Sequence, residues 1–490
     1  GILLISLAPI PAMERFALFC GFWALMLAPT GVILAPLLLS VLPTPKNIDS
    51  IVSEKSEGIH GKVKNLLASI ATLSQGKKAP VTTAVVVVVG AFSIYTALQI
   101  QIGNPVEGSN LLWEDSDFNV SVAQINDHFP GVNTLEIILE SKNPQGEERA
   151  AKKADTVNTM LQLQSMFERS DEAPRATLSF ADFLMDGNRL ISGGNPKWLP
   201  IDNNDRAVSA ATSAVLMGSS PKAYSHVVDF EMQNSTVSLW YPDNKQATVD
   251  KALADAEAAV AAVGVDHDDF VVRLGSGTIA LQQAINHVVE RYHYVILGLL
   301  NVVILLVSSY AYRSLVAGFV LLLPVNLSNM ILTTCMSYIG IGLDINSLMV
   351  AAIGVGVGID YGIYLLSRIC EEYHDRHDYG EAITAALRTT GKAIAFTASI
   401  MLIGILPWYF LSGLKFLADM GLLLVLVMLI NMAIALVVLP LLVWLIKPKF
   451  VSREDILVLG EGMSISKLVE ADAATEKKVY PQSSETQPAV

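Results

Sequence analysis

The chain has 490 residues, 52% of them apolar and only 16% charged, and a formal charge of −13. It is too hydrophobic for an ordinary soluble enzyme and too mixed for a bare helical bundle, so the composition points to a membrane protein with a sizeable aqueous part. Between Gln101 and Glu290 stand 27 Asp and Glu against 13 Lys and Arg, which accounts for the whole negative excess, and with no basic stripe to neutralise phosphates nucleic acid is excluded as a partner.

Cys20, Cys335 and Cys370 fall in or beside apolar stretches, so there is neither a disulfide framework nor a CxxC metal signature. His374 and His377 are three apart, but without a third ligand nearby they read as part of a solvated loop, and no metal is expected. No Ser, Cys or His stands in a recognisable catalytic spacing, so an enzyme is not expected.

In chain order, ILLISLAPI at Ile2–Ile10 is too short to span a bilayer and carries no charged n-region or cleavage site. It is expected to be the end of a helix in the C-terminal part of a longer protein. Phe16 to Leu42 is a full span, closing a first membrane unit over 1–42. The linker over 43–79 carries Lys46, Lys55, Lys62, Lys64, Lys77 and Lys78, and this basic excess places it on the cytoplasmic side. Val81 to Leu98, within 80–100, crosses outward.

Residues 101–290 alternate between strand and helix patterns. Thr134 to Glu140, Val227 to Glu231, Thr236 to Tyr241 and Phe270 to Leu274 read as strands, the second and third as a pair; Glu148 to Arg169 and Asp250 to Val263 read as helices. The prediction is an acidic, extracytoplasmic α+β domain with helices on a sheet face.

Residues 291–449 hold five further spans. A helix running on from the soluble domain becomes the span Tyr294 to Tyr310, Tyr312 and Arg313 make a short turn, and Leu315 to Tyr338 crosses back with Pro324 placed to kink it. Leu343 to Arg368 follows, then a charged segment, Glu371 to Lys392, expected to lie along the membrane surface. Ala393 to Phe410 and Phe416 to Ile446 are the last spans, and the tail over 450–490 is rich in Ser, Glu, Gln and Ala and expected to be disordered. Seven complete spans and one partial one are predicted.

The segment Leu343 to Arg368 carries the strongest chemical signal. Asp360, followed by Tyr361, sits near the middle of an apolar, glycine-rich run, where a carboxylate costs about 2.5–3.5 kcal/mol. Such a group either faces a bundle interior through which protons or ions pass, or is a packing aspartate held neutral by a hydrogen bond. Gly354, Gly356 and Gly358 would let helices approach closely. Thr397 and Ser399 read either as relay hydroxyls or as groups bonded to their own helix, and Asp344 and Asn346, at the outer end of the Asp360 helix, either as further site residues or as its N-terminal cap. Asn326, Asn329 and Asn431 are polar positions expected either to line the interior or to bond between helices.

The two ends of the membrane part also resemble each other. Phe16, Gly21, Pro36 and Lys46 are answered by Phe416, Gly421, Pro440 and Lys449, as in transporters built from repeated halves.

Taken together, PVNLSNM around Pro324, GLDINSL, GVGVGIDYGIYLLSR and AFTASIMLIGILP resemble the MMPL and Patched-like branch of the RND superfamily of proton-driven exporters. The resemblance implies an α-helical integral membrane bundle of the RND repeat type with a periplasmic α+β porter domain, the chain supplying the end of a first repeat and all of a second. It implies that Asp360 and Tyr361 are the second-repeat member of the proton-relay pairs, the proton itself being the coupling ion with no other cofactor. Drug-efflux relatives use an intramembrane lysine instead; here Lys392 and Lys415 stand at span ends, which fits the Asp-Tyr type. A bacterial inner-membrane exporter of hydrophobic or lipid-like molecules is expected, in contact with membrane lipids and forming homo-oligomers or meeting periplasmic or outer-membrane proteins. The alternatives on the same scaffold are a Patched-like sterol- or lipid-sensing receptor and a SecDF-like auxiliary subunit of protein export.

Overall fold

In a computed structural model of the chain the structure describes residues 2–42, 59–100, 102–103, 108–109 and 111–453. Among these, seven helices are long and apolar enough to cross a membrane. They are α1 (Pro11–Val41), α3 (Ala79–Ala97), α9 (Gly277–Ala311), α10 (Leu315–Ile339), α11 (Ile345–Arg376), α12 (Tyr379–Leu411) and α13 (Lys415–Ile446). Between α1 and α3 lies α2 (Ile59–Leu73), and the helices α4 (Asp117–His128), α5 (Ala154–Glu168), α6 (Phe180–Ile191), α7 (Asp205–Gly218) and α8 (Gln246–Val263) belong to the region between α3 and α9. The chain is an α-helical membrane bundle carrying an inserted α+β domain.

The bundle is centred on α10, α11 and α13, which bury about half of their apolar windows in the chain itself, whereas α1 buries none of its own. A helix apolar on every side and bare on most of them needs lipid or further protein around it. Within Ile2–Ile10, expected to be the end of a helix, Ile2–Leu7 forms a 3₁₀ helix whose Ile5 is fully buried among α9 and α11 side chains. The repeated glycines each meet the segment before their own helix. A Cβ on Gly21 would run into Leu3, and one on Gly421 would stand 3.0 Å from Trp408.

The domain is built on a four-stranded antiparallel sheet of order β2-β3-β1-β4, comprising β1 (Asn133–Ser141), β2 (Ala176–Ser179), β3 (Ser235–Tyr241) and β4 (Phe270–Ser276). Strict alternation along NTLEIILES buries Leu135, Ile137 and Leu139 against α5, α6, α7 and α8 and leaves Glu136 and Glu140 on the other face. Register follows from that alternation, with Leu135 opposite Leu239 and Ile137 opposite Val237. Of the predicted strand Val227–Glu231 only an antiparallel bridge forms, Val228 against Ser235, with the Thr236 N–H donating to the Val227 carbonyl at 2.8 Å. Asp229 takes the Gln233 backbone N–H and the Asn234 amide, and closes a turn in which Met232 has φ 56°. Beyond that bridge Thr236–Tyr241 pairs with β1 and β2.

The predicted surface helix over Glu371–Lys392 is replaced. The i, i+3 and i, i+4 ion pairs of Arg368, Glu371, Glu372 and Arg376 continue α11 to Arg376, and Asp378 caps α12 through the Glu381 N–H. The charged segment is therefore the end of one span and the start of the next. The linker contributes α2, which packs on α12 and α13 through Leu67 and Ala71, and Gln75 donates to the Gly380 carbonyl. Residues 43–58 of the linker and the tail 454–490 lie outside the described residues.

Domain and bundle are tied in three places. Helix α9 runs unbroken from Ile279 in the domain core to Ile304 in the bundle core. Behind α3, Ile102 bridges Leu343 in parallel fashion, and the Gly103 N–H donates to the Leu343 carbonyl at 3.0 Å. Further on, Trp113 reaches the turn between α12 and α13: its indole N–H donates to the Ser412 carbonyl, its ring meets Tyr409 edge-on, and Glu114 pairs with Lys415.

The junction between β4 and α9 depends on Gly277, which has φ 92° and whose missing Cβ would collide with the Thr134 carbonyl. Gly264, with φ 95° and nothing nearer than 3.9 Å, is the unclashed comparison. Gly264→Ala should cost about 1–3 kcal/mol from backbone conformation alone, and Gly277→Ala distinctly more; thermal unfolding of the detergent-solubilised protein measures the difference.

Candidate functional site

The site is organised by α11. Its N-terminus is fixed by a reciprocal cap in which the Ser347 N–H donates to Asp344 Oδ1 at 2.9 Å and the Asp344 N–H donates to Ser347 Oγ at 2.8 Å. Asp344 is therefore a capping residue, while the Asn346 side chain lies outside the described residues. At the other end Tyr312, fully buried, inserts its ring between α11 and Phe450, and its hydroxyl donates to the Ile363 carbonyl and bonds Ser367 Oγ at 2.8 Å. Glu372, also buried, takes both Arg368 and Arg376.

Between these ends the three glycines differ. A Cβ on Gly354 would stand 2.5 Å from Val427 Cγ2, and one on Gly358 2.6 Å from Asn431 Oδ1, so both are points of closest approach to α13. The Asn431 amide, itself buried, donates to the Gly354 carbonyl at 2.9 Å. Gly356 has nothing within 4 Å and faces open space. Gly362 completes the packed side, with a Cβ there 3.0 Å from Leu321 of α10.

Asp360 lies on the open side. It follows Gly356 by four residues and precedes Tyr364 by four, so the three share one helical stripe, on which Asp360 and Tyr364 are exposed. Its carboxylate takes no hydrogen bond among the described residues, though it sits about 20 Å, by 1.5 Å per residue, from the N-terminal end of the span. Tyr361, one position on, points the other way: it is 4% exposed, packed in the bundle core, and its hydroxyl has no partner among the described residues. Adjacent in sequence, aspartate and phenol are on different faces and do not pair with each other.

Thr397 and Ser399 are not brought to this pair. Each is exposed on α12 and donates to a carbonyl four residues back, Ala393 at 3.0 Å and Ala395 at 2.7 Å. Asn326 forms a reciprocal amide pair with Asn301 across α9 and α10, whereas Asn329 leaves its buried carbonyl oxygen without a partner among the described residues. In the sequence Tyr312 reads as a turn residue, and nothing singles out Asn301, Ser367 or Glu372. Their signal was a polar group just inside an apolar run, which names no partner until helices are placed side by side.

The glycines make a test of this geometry. Gly356→Ala should leave folding intact and add up to about 1 kcal/mol of helix propensity. Gly354→Leu and Gly358→Leu should each cost about 1–3 kcal/mol or more by forcing α11 from α13. Melting temperatures in detergent rank the three.

The MMPL family profile matches residues 110–459. A membrane protein of Methanocaldococcus jannaschii is 30% identical over 124 residues, 25% of this chain and 31% of the relative. The trehalose monomycolate exporter MmpL3 of Mycolicibacterium smegmatis is 34% identical over 59 residues, 12% of this chain and 6% of the relative. The aligned segments thus cover less than a third of either relative, while the family match runs from the start of the α+β domain through the last span. On that match over most of its length, the chain belongs to the MMPL family.

Proposed function

We propose that the chain forms part of an RND-type exporter of hydrophobic or lipid-like molecules, driven by the proton-motive force, in which Asp360 takes up and releases the coupling proton. The observation that carries this reading is the direction of Asp360: a mid-span carboxylate turned away from its own bundle. A packing aspartate would face inward and be hydrogen-bonded, and in this bundle that task falls to Asn431. A charge left against lipid would cost several kcal/mol, so the stripe of Gly356, Asp360 and Tyr364 is a surface for further protein, as between the repeats of an RND assembly.

Protonation removes the desolvation cost of the carboxylate. Moving one charge across the membrane is worth about 2.3 kcal/mol per 100 mV, enough to bias a two-state rocking of helices. Because Gly354, Gly358 and Asn431 fasten α11 to α13, the two respond together. Their motion reaches the α+β domain, acting as a periplasmic porter domain, through α9 and through the contacts at Leu343 and Trp113. The lipid cargo in the name of the mycobacterial relative supports a hydrophobic substrate. The setting is the bacterial inner membrane, with membrane lipids as surroundings and homo-oligomers or periplasmic and outer-membrane proteins as partners.

Asp360→Asn should abolish export while leaving insertion and melting unchanged, and undiminished export in that variant overturns the proposal. An uncoupler should stop substrate release; release that survives it favours a lipid-sensing receptor, and a defect confined to protein secretion favours a SecDF-like role. Trp113→Ala, far from Asp360 in sequence and outside the apolar spans, should slow export severalfold in the same assay without altering insertion.

A further inference from the structure

We infer that Asn431 is a positioning residue for Asp360, its side-chain amide setting the height at which α11 presents the carboxylate; the inference rests on the proton-carrying role proposed for Asp360. Asn431 stands on α13 against two successive turns of α11. It donates to the carbonyl of Gly354, and its amide plane occupies the space where a Cβ of Gly358 would be. That carbonyl also serves the helix's own N–H four residues on, at Gly358, so one amide spans the turn that ends two residues before Asp360. Any side chain larger than hydrogen at Gly358 would displace it. Apolar ridges slide past each other at little cost, but a directed N–H···O bond holds one axial register. The site therefore divides the work between two polar groups on opposite sides of one helix. Asn431 is buried and bonded and fixes α11; Asp360 is exposed and is held where that register puts it.

The test is the rate at which dicyclohexylcarbodiimide, which attacks protonated carboxyl groups in apolar surroundings, modifies Asp360 in the intact protein in native membranes at one fixed pH, read by mass spectrometry. Asn431→Leu keeps the branched shape and heavy-atom count of the side chain and removes the donor. It should change the labelling rate at least about threefold, the scale of a typical interhelical hydrogen bond, with insertion and melting close to the parent. Asn301→Leu, which breaks the amide pair between α9 and α10, should leave the rate unchanged. Should Asn431→Leu fold poorly, Asn431→Ala with Gly358→Ala refills the space without the hydrogen bond, and should show the same altered rate. Parental labelling in that double variant, or an equal change in Asn301→Leu, reduces Asn431 to packing and overturns the inference. An Asp360 that resists labelling in the parent protein overturns the proton-site reading as well, whereas a labelled Asp360 indifferent to Asn431 overturns this inference alone.

Discussion

The contact between α11 and α13 is the constraint on which the rest of the membrane part depends. Two glycines four residues apart remove side chains from one face of α11, Val427 and Asn431 fill the space, and one amide hydrogen bond closes it. Lipid tails are as apolar as the helices, so nothing hydrophobic favours helix on helix over helix on lipid; close packing and a few directed polar bonds must do so. The same economy recurs around it. Asn301 and Asn326 join α9 to α10, Thr96 and Thr334 join α3 to α10 at 2.6 Å, and Tyr312 fastens the turn after α9 to α11. Each is a short-range polar bond between apolar helices, and together they fix which faces remain open.

The open face follows from the closed one. With Gly354, Gly358 and Gly362 turned toward neighbours, a 3.6-residue period leaves Gly356, Asp360 and Tyr364 outside. The carboxylate is exposed because the helix is fully engaged on its other sides. The aqueous domain is fixed to the same framework, since Ile102 and Gly103 hold the residue just before the α11 cap and Trp113 holds the turn joining α12 and α13. Rearrangement of α11 and α13 would thus be felt at the base of the domain at both of these turns as well as along α9.

Much of this was legible in the residues. The seven spans follow from length and hydropathy, β1 from alternation in TLEIILE, and the mid-span place of Asp360 from its position in an apolar run. The errors were local. DFEMQN after Val228 has apolar neighbours that mimic a strand, but Asp229 and Asn234 prefer each other and make a turn. Glu371 to Lys392 has the charge of a surface helix, yet its own ion pairs extend α11, and an aspartate cap starts α12 two residues after α11 ends. In both places a side chain bonding to nearby backbone or to its own helix decided the outcome over the periodic pattern.

The sequence by itself determined that the chain crosses a membrane, carries an acidic α+β insertion and keeps one expensive carboxylate in mid-span, because these are matters of solvation that each segment settles alone. Only the tertiary structure decided that Asp360 and Tyr361, neighbours in sequence, serve opposite faces, that Gly356 is unlike Gly354 and Gly358, and that Thr397 and Ser399 are bonded to their own helix. A helical period places each residue on a face of its own helix, but what that face meets depends on side chains from other helices, brought there by the packing of the whole bundle.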